Sequence, residues 1–144
     1  MTAPWLPDGF HTLTPNIIAD DAEKAVDFLK RAFGATEKYR LTLSDGTIAH
    51  CELRIGDSAI NLGTSMQGFP AHGLVAQIFV EAPDAVFDQA VRAGATVLMP
   101  MTDMFFGIRE GRIADAFGNT WIIAALKERL SAEEMQRRLR AQGY

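Results

Sequence analysis

One cysteine, Cys51, is all the chain has. No internal disulfide can form, and the expected setting is the reducing cytoplasm. No apolar run is long enough to cross a bilayer. The opening stretch MTAPWLPDGFH has neither a basic start nor an apolar h-region, so a secretory leader is not expected. Positive charge is not in excess: 14 Lys and Arg stand against 18 Asp and Glu, for a net charge of −4. That disfavours nucleic acid as a partner, because binding it requires a basic face that releases counterions. No glycine-rich strand-to-helix turn of the kind a Rossmann-like site needs is present. The one basic cluster, Arg137-Arg138-Leu139-Arg140, follows Glu133 and Glu134 at four-residue spacing. It reads as a helix with surface ion pairs.

What is there suits one domain. The 144 residues are 48% hydrophobic and 22% charged, ordinary values for a globular protein with a single core. Three segments read as helices. Asp21 to Phe33 has an aspartate cap, a Val26-Leu29-Phe33 stripe and Gly34 as its stop. Pro83 to Ala93 has proline in its first turn, Phe87, Ala90 and Val91 on one face, and Gly94 as its stop. Ala132 to Ala141 opens with a Ser131/Glu134 capping box, and Met135 and Leu139 face one way. Between them lie strand-like runs: Thr12–Ile18, Thr36–Leu43, Thr47–Ile55, Ala59–Leu62, Leu74–Val80, Thr96–Met99, Gly107–Ala114 and Thr120–Ala125. Ser44-Asp45-Gly46 and Gly56-Asp57 read as hairpin turns. Residues 67–73 read as a linker.

The two halves resemble each other. Ala25-Val26-Asp27-Phe28 leads to Gly34-Ala35-Thr36, and Val86-Phe87-Asp88 leads to Gly94-Ala95-Thr96. Arg54-Ile55-Gly56-Asp57 precedes an apolar strand, as does Arg112-Ile113-Ala114-Asp115. A repeated βαβββ unit accounts for this. The expected fold is α+β: two tandem βαβββ modules, about 12–64 and 74–126, joined by a linker at about 65–73 and followed by a C-terminal helix at about 131–141. One such unit cannot bury both faces of its sheet, so the pair is expected to enclose a cavity with a curved mixed sheet.

With those pieces in order, the chain resembles the vicinal-oxygen-chelate superfamily of glyoxalase I, bleomycin-resistance proteins and extradiol dioxygenases, and within it the PhnB-like branch. The residues that carry the likeness are Thr14-Pro15-Asn16-Ile17, Ala32-Phe33-Gly34-Ala35, His50-Cys51-Glu52-Leu53-Arg54-Ile55-Gly56-Asp57, Ala93-Gly94-Ala95-Thr96, Met99-Pro100, Phe106-Gly107-Ile108-Arg109 and Asp115-Ala116-Phe117-Gly118-Asn119-Thr120-Trp121. The last of these is similar to the family's D-P-x-G-H turn, with Ala116 for proline and Asn119 for histidine. Phe106 and Ile108 stand where the branch often has tryptophan and aspartate.

Metal-dependent members take histidine and glutamate ligands from the first and last strands of each repeat, and their metal acts as a Lewis acid on vicinal oxygens. The resemblance puts those places near Thr14, Asn61, Val75 and Ile122. A shift of two along a strand brings in Asn16 and Gln77. All are uncharged, so neither a metal nor another cofactor is expected. His11 and His72 read as surface histidines. In Ala49–Ile55 the polar His50, Glu52 and Arg54 alternate with apolar residues and share one face. If that face looks into the cavity, His50 and Glu52 are candidate acid, base or ligand; if it faces solvent, they form a plain polar row. Cys51 points the other way, as a small buried apolar residue.

Three functions compete. The first is a metal-free protein that binds a small organic molecule, with Asn16, His50, Glu52, Asn61, Gln77, Phe106, Arg109 and Ile122 in contact with it, and Phe105 and Trp121 as further aromatic lining. The second is a metal-dependent lyase, isomerase or dioxygenase with a displaced site on His50 and Glu52. The third is an interaction domain whose interior is only packed core. The resemblance implies a homodimer, with the C-terminal helix able to clasp a partner through Leu130, Met135 and Leu139 or, equally, to pack back on its own chain.

Overall fold

The structure, a computed structural model, describes residues 3–143. Its elements run β1 (Asn16–Ala19), α1 (Ala22–Phe33), β2 (Thr36–Thr42), β3 (Ile48–Ile55), β4 (Ser58–Thr64), β5 (Val75–Phe79), α2 (Pro83–Arg92), β6 (Thr96–Asp103), β7 (Ile108–Ala114), β8 (Thr120–Leu126) and α3 (Ala132–Ala141). The strands form two four-stranded sheets, ordered β1-β4-β3-β2 and β5-β8-β7-β6. In each, the first strand runs parallel to the last while the remaining pairs are antiparallel. The α+β class and the duplicated βαβββ order expected from the sequence are therefore both present. Two compact units result: the chain up to Leu74 together with Ala116–Asn119, and Val75–Asp115 together with Thr120 onward.

In the first unit, α1 starts where the Asp21 carboxylate accepts the Lys24 amide at 3.0 Å. It ends at Gly34, whose φ of 66° lies in the left-handed region that favours glycine. Its buried face is Ala22, Ala25, Val26, Phe28, Leu29 and Ala32. Alternation along the strands presents Ile17, Ala19, Cys51, Leu53, Ile60 and Leu62 to that face, all at 5% exposure or less. The strand side chains in between point to the opposite face, which α1 does not cover.

In the second unit, Pro83 occupies the first turn of α2, where its missing N–H costs nothing. Phe87 and Ala90 are buried, and Phe87 lies over Gly111 of β7, where a Cβ would come within 2.7 and 2.9 Å of the ring. Ile113, Trp121 and Ile123, each at 1% exposure or less, complete this face. The Trp121 indole donates to Asp115 Oδ2 at 2.9 Å, which ties the β7–β8 turn to the start of β8.

Two boundaries differ most from the sequence reading. β1 begins at Asn16 rather than Thr12; its pairing with β4 opens where the Asn61 amide donates to the Pro15 carbonyl. β6 does not stop before Pro100 but continues to Asp103. β6 is an edge strand, and its register with β7 slips between Met99 and Thr102, so Pro100 needs no ladder donor there. The linker 67–73 begins with a turn at Gln67-Gly68, closed by the Met66–Phe69 bridge, and then meets β1 through the isolated Ile18–His72 bridge. α3 has no buried residue; Ser131 caps it by accepting the Glu134 amide at 3.1 Å.

Candidate functional site

The uncovered face of the first sheet carries a row of polar side chains. Register places Asn16 beside Asn61, Asn61 opposite Glu52, and Glu52 opposite Tyr39. Adjacent strands lie about 4.8 Å apart, so the row spans about 14 Å. Asn61 Oδ1 is buried and has no hydrogen-bond partner. A buried acceptor left unpaired costs on the order of 1–3 kcal/mol, so this is where the row calls for a donor. Asn16 is exposed, and its amide nitrogen donates to the Thr14 carbonyl at 3.3 Å.

One row further along the strands, Ile18, Gly63, His50 and Leu41 share the same face. Here a cleft of about 180 Å³ opens, lined by Asn16, Ile18, His50, Gly63, Met66 and Phe69 among others. His50 is half-buried, its ring 5.6 Å from that of Tyr39. Phe69 and Met66 sit at the exposed rim. The cleft thus combines an imidazole, amide groups and apolar surface.

In the opposite direction the row is closed. Arg54 Nη1 pairs with Glu52 Oε2 at 2.8 Å, and both side chains are nearly buried, at 13% and 11% exposure. Arg54 also donates to the Asp8 carbonyl at 2.9 Å, and its guanidinium lies 4.9 Å from the Phe10 ring centre. The N-terminal segment is therefore strapped over the Arg54 end of this face. Glu52 is already engaged, so it is a charged wall of the site rather than a free carboxylate. Cys51, on the helix side, is fully buried, and burial pushes its thiol pKa up. That makes it a poor nucleophile.

The second sheet repeats the pattern. Facing away from α2, Gln77, Ile122 and Arg112 form one row, and Phe79, Ala124 and Glu110 the next. Gln77 is exposed, Ile122 half-buried and Glu110 only 2% exposed. Arg109 lies on the α2 side instead. It makes paired bonds of 2.8 Å to Asp84 and one of 3.0 Å to Asp103. Those bonds lower the carboxyl pKa of Asp84, while Asp103 is lowered first by Lys127 and then by Arg109. Phe106 is half-buried in the β6–β7 turn, edge-on to Phe105 with ring centres 5.1 Å apart.

Of the residues singled out from sequence, Asn16, His50, Glu52 and Asn61 come together on the first sheet, and Gln77 and Ile122 on the second. Phe106 and Arg109 stand apart from both groups. Of the places that the resemblance put forward for metal ligands, Thr14 precedes β1 and Val75 pairs with Thr120, while Asn16 pairs with Asn61 and Gln77 with Ile122. Amide oxygens are weak ligands for a divalent ion and an alkyl side chain is none. Among the described residues no three His, Cys, Asp or Glu side chains converge. Sequence reasoning missed Tyr39, Met66, Phe69 and the Arg112–Glu110 pair. The hairpin register would have found Tyr39, and the repeat of Glu52-Leu53-Arg54 as Glu110-Gly111-Arg112 would have found the pair.

The chain is similar to known proteins over most of its length. Residues 10–123 match the profile of the Glyoxalase/Bleomycin resistance protein/Dioxygenase superfamily. The uncharacterized protein Rv0887c of Mycobacterium tuberculosis is 32% identical over 145 residues, spanning 91% of this chain and 84% of its own length. Among solved structures, TioX from Micromonospora sp. ML1 superposes with a TM-score of 0.67 at 23% identity, over 81% of this chain and 98% of TioX. A glyoxalase/bleomycin resistance protein/dioxygenase from Nocardioides gives a TM-score of 0.64 at 16% identity, over 85% of this chain and 87% of its own. At these identities the two structures speak for the fold alone.

Proposed function

The chain belongs to the glyoxalase/bleomycin resistance protein/dioxygenase superfamily, and we propose that it is a metal-free member that binds a small organic molecule on the open face of its first sheet. The observation that carries this reading is Asn61 Oδ1, a buried acceptor without a donor, in the row that borders the His50 cleft. A ligand that donates to Asn61 and lays an apolar part against Ile18, Met66 and Phe69 satisfies both features. The neutral donor set supports binding without a metal. Glu52, anchored by Arg54, weighs against a displaced acid–base site on His50 and Glu52.

Two measurements test this. Elemental analysis of protein grown with mixed divalent metals is expected to find far less than one Ni, Zn, Mn or Fe per chain, whereas stoichiometric metal would remove the metal-free reading. A thermal-shift screen of small neutral heterocycles and amides is expected to yield ligands that the Asn61→Leu variant binds about tenfold more weakly, as loss of one buried hydrogen bond implies. If the screen yields nothing, or its hits bind Asn61→Leu unchanged, the site is not there.

A further inference from the structure

The internal repeat supplies two equivalent ion pairs, Glu52–Arg54 on β3 and Glu110–Arg112 on β7. They differ in what surrounds the arginine. Arg54 is spent: it holds Glu52, the Leu53 and Asp8 carbonyls and the Phe10 ring, and is 13% exposed. Arg112 meets Glu110 through Nε alone, at 3.3 Å, and its side chain is 46% exposed while that of Glu110 is 3% exposed. Contact through Nε leaves the Nη1/Nη2 edge of the guanidinium pointing away from Glu110. That end of the guanidinium can take a carboxylate through two parallel bonds, as the Nε/Nη2 side of Arg109 does with Asp84.

Other arginines of this chain show that one guanidinium readily holds two carboxylates. Arg109 binds Asp84 and Asp103, Arg40 binds Glu37 and Glu23, and Arg138 binds Glu128 and Glu134. Arg112 has the first carboxylate and room for a second. Its surroundings on the open face suit an acid with an apolar body. Ile122 lies beside it in the row, and beyond Ile122 the exposed Gln77 offers an amide donor, about 10 Å from Arg112 across two strand spacings. Phe79, 60% exposed, is two residues along β5 from Gln77, on the same face.

We propose that the open face of the second sheet is a binding site for a small planar carboxylic acid, with the carboxylate on the Nη edge of Arg112, the body over Ile122, and Gln77 bonding the far end. Buried Glu110 is the positioning residue: it holds Nε and thereby aims the free edge outward. The site lies on different residues from the Asn61 cleft and stands or falls separately from it.

The test titrates the full-length protein by heteronuclear NMR with benzoate, phenylacetate and 2-naphthoate, each against its primary amide. The acids are expected to give saturable shifts centred on Gln77, Ile122 and Arg112, and the amides are not. Arg112→Gln, which keeps an amide donor for Glu110, is expected to bind the acids about tenfold to a hundredfold more weakly, the loss of a charge-assisted pair of bonds. Arg112→Lys, with charge but no fork, is expected to fall between. Asn61→Leu is expected to bind them as the parent does. Should Arg112→Gln fold poorly, Glu110→Gln combined with Arg112→Gln removes the stranded charge and serves in its place. Equal response to acids and amides, shifts centred elsewhere, or unchanged acid binding by the Arg112 variants would overturn the site.

Discussion

At the scale of single residues, the same Glu-x-Arg pairing is put to two uses. Glu52 and Arg54 are nearly buried and closed in by the N-terminal segment. Removing one member of such a pair strands the other's charge in a poorly solvated place. Arg54→Met is therefore expected to cost about 2–4 kcal/mol in urea unfolding, somewhat below a fully buried pair. The double change Glu52→Gln with Arg54→Met is expected to recover much of that loss, because no unpaired charge remains. An Arg54→Met protein as stable as the parent would mean that the strap over Arg54 contributes nothing. The alternation His50, Glu52, Arg54 could be read from sequence because strand periodicity is local. That Asp8 and Phe10 would close over Arg54 could not: the contact spans more than forty positions, and nothing in residues 8–10 announces it. Arg109 shows the converse. It sits in a stretch that resembles the family, yet its partners Asp84 and Asp103 come from α2 and β6, and only their placement shows that its charge is already taken.

At the scale of elements, the helices and most strands were legible because each is bounded by its own chemistry. Asp21 and Gly34 bracket α1, Pro83 opens α2, and Ser131 caps α3. β6 was misjudged at Pro100 because proline normally ends a strand, and only the sheet order shows β6 to be an edge that tolerates it. The packing of α2 on its sheet depends on one position that sequence could flag only as a glycine in a strand. Gly111 lets the Phe87 ring approach β7 so closely that a Cβ would lie 2.7 and 2.9 Å from ring atoms. Phe87 is 7% exposed, so the ring has little room to retreat. Gly111→Ala is expected to destabilise by about 1–3 kcal/mol in urea unfolding, as overpacking does. Adding Phe87→Leu is expected to relieve part of that. If Gly111→Ala unfolds at the parent's urea midpoint, the ring and the Met101 sulfur, which a Cβ would also meet at 2.7 Å, can both move aside and the glycine is not required for this contact.

At the scale of the whole molecule, the repeat explains the architecture but the compact units do not follow the repeat boundaries. The first unit includes Ala116–Asn119, from the β7–β8 turn. Two side chains of that turn are built into it. Asn119, 2% exposed, accepts the Leu74 amide at 3.0 Å through Oδ1. Phe117 is half-buried, with its ring centre 6.4 Å from that of Phe28 on α1. The β7–β8 turn is thus also a structural part of the first unit, and Asn119 supplies the acceptor that the Leu74 amide needs. Truncating Phe117 should be felt in α1, far away in sequence. Phe117→Ala is expected to lower global stability by about 1–3 kcal/mol, less than a fully buried phenylalanine because the ring is only half-covered. Native-state hydrogen exchange is expected to quicken in α1 around Phe28. Exchange in α1 that matches the parent would show that the Phe28–Phe117 contact adds no stability, and that the first unit holds together through β1–β4 and α1 alone.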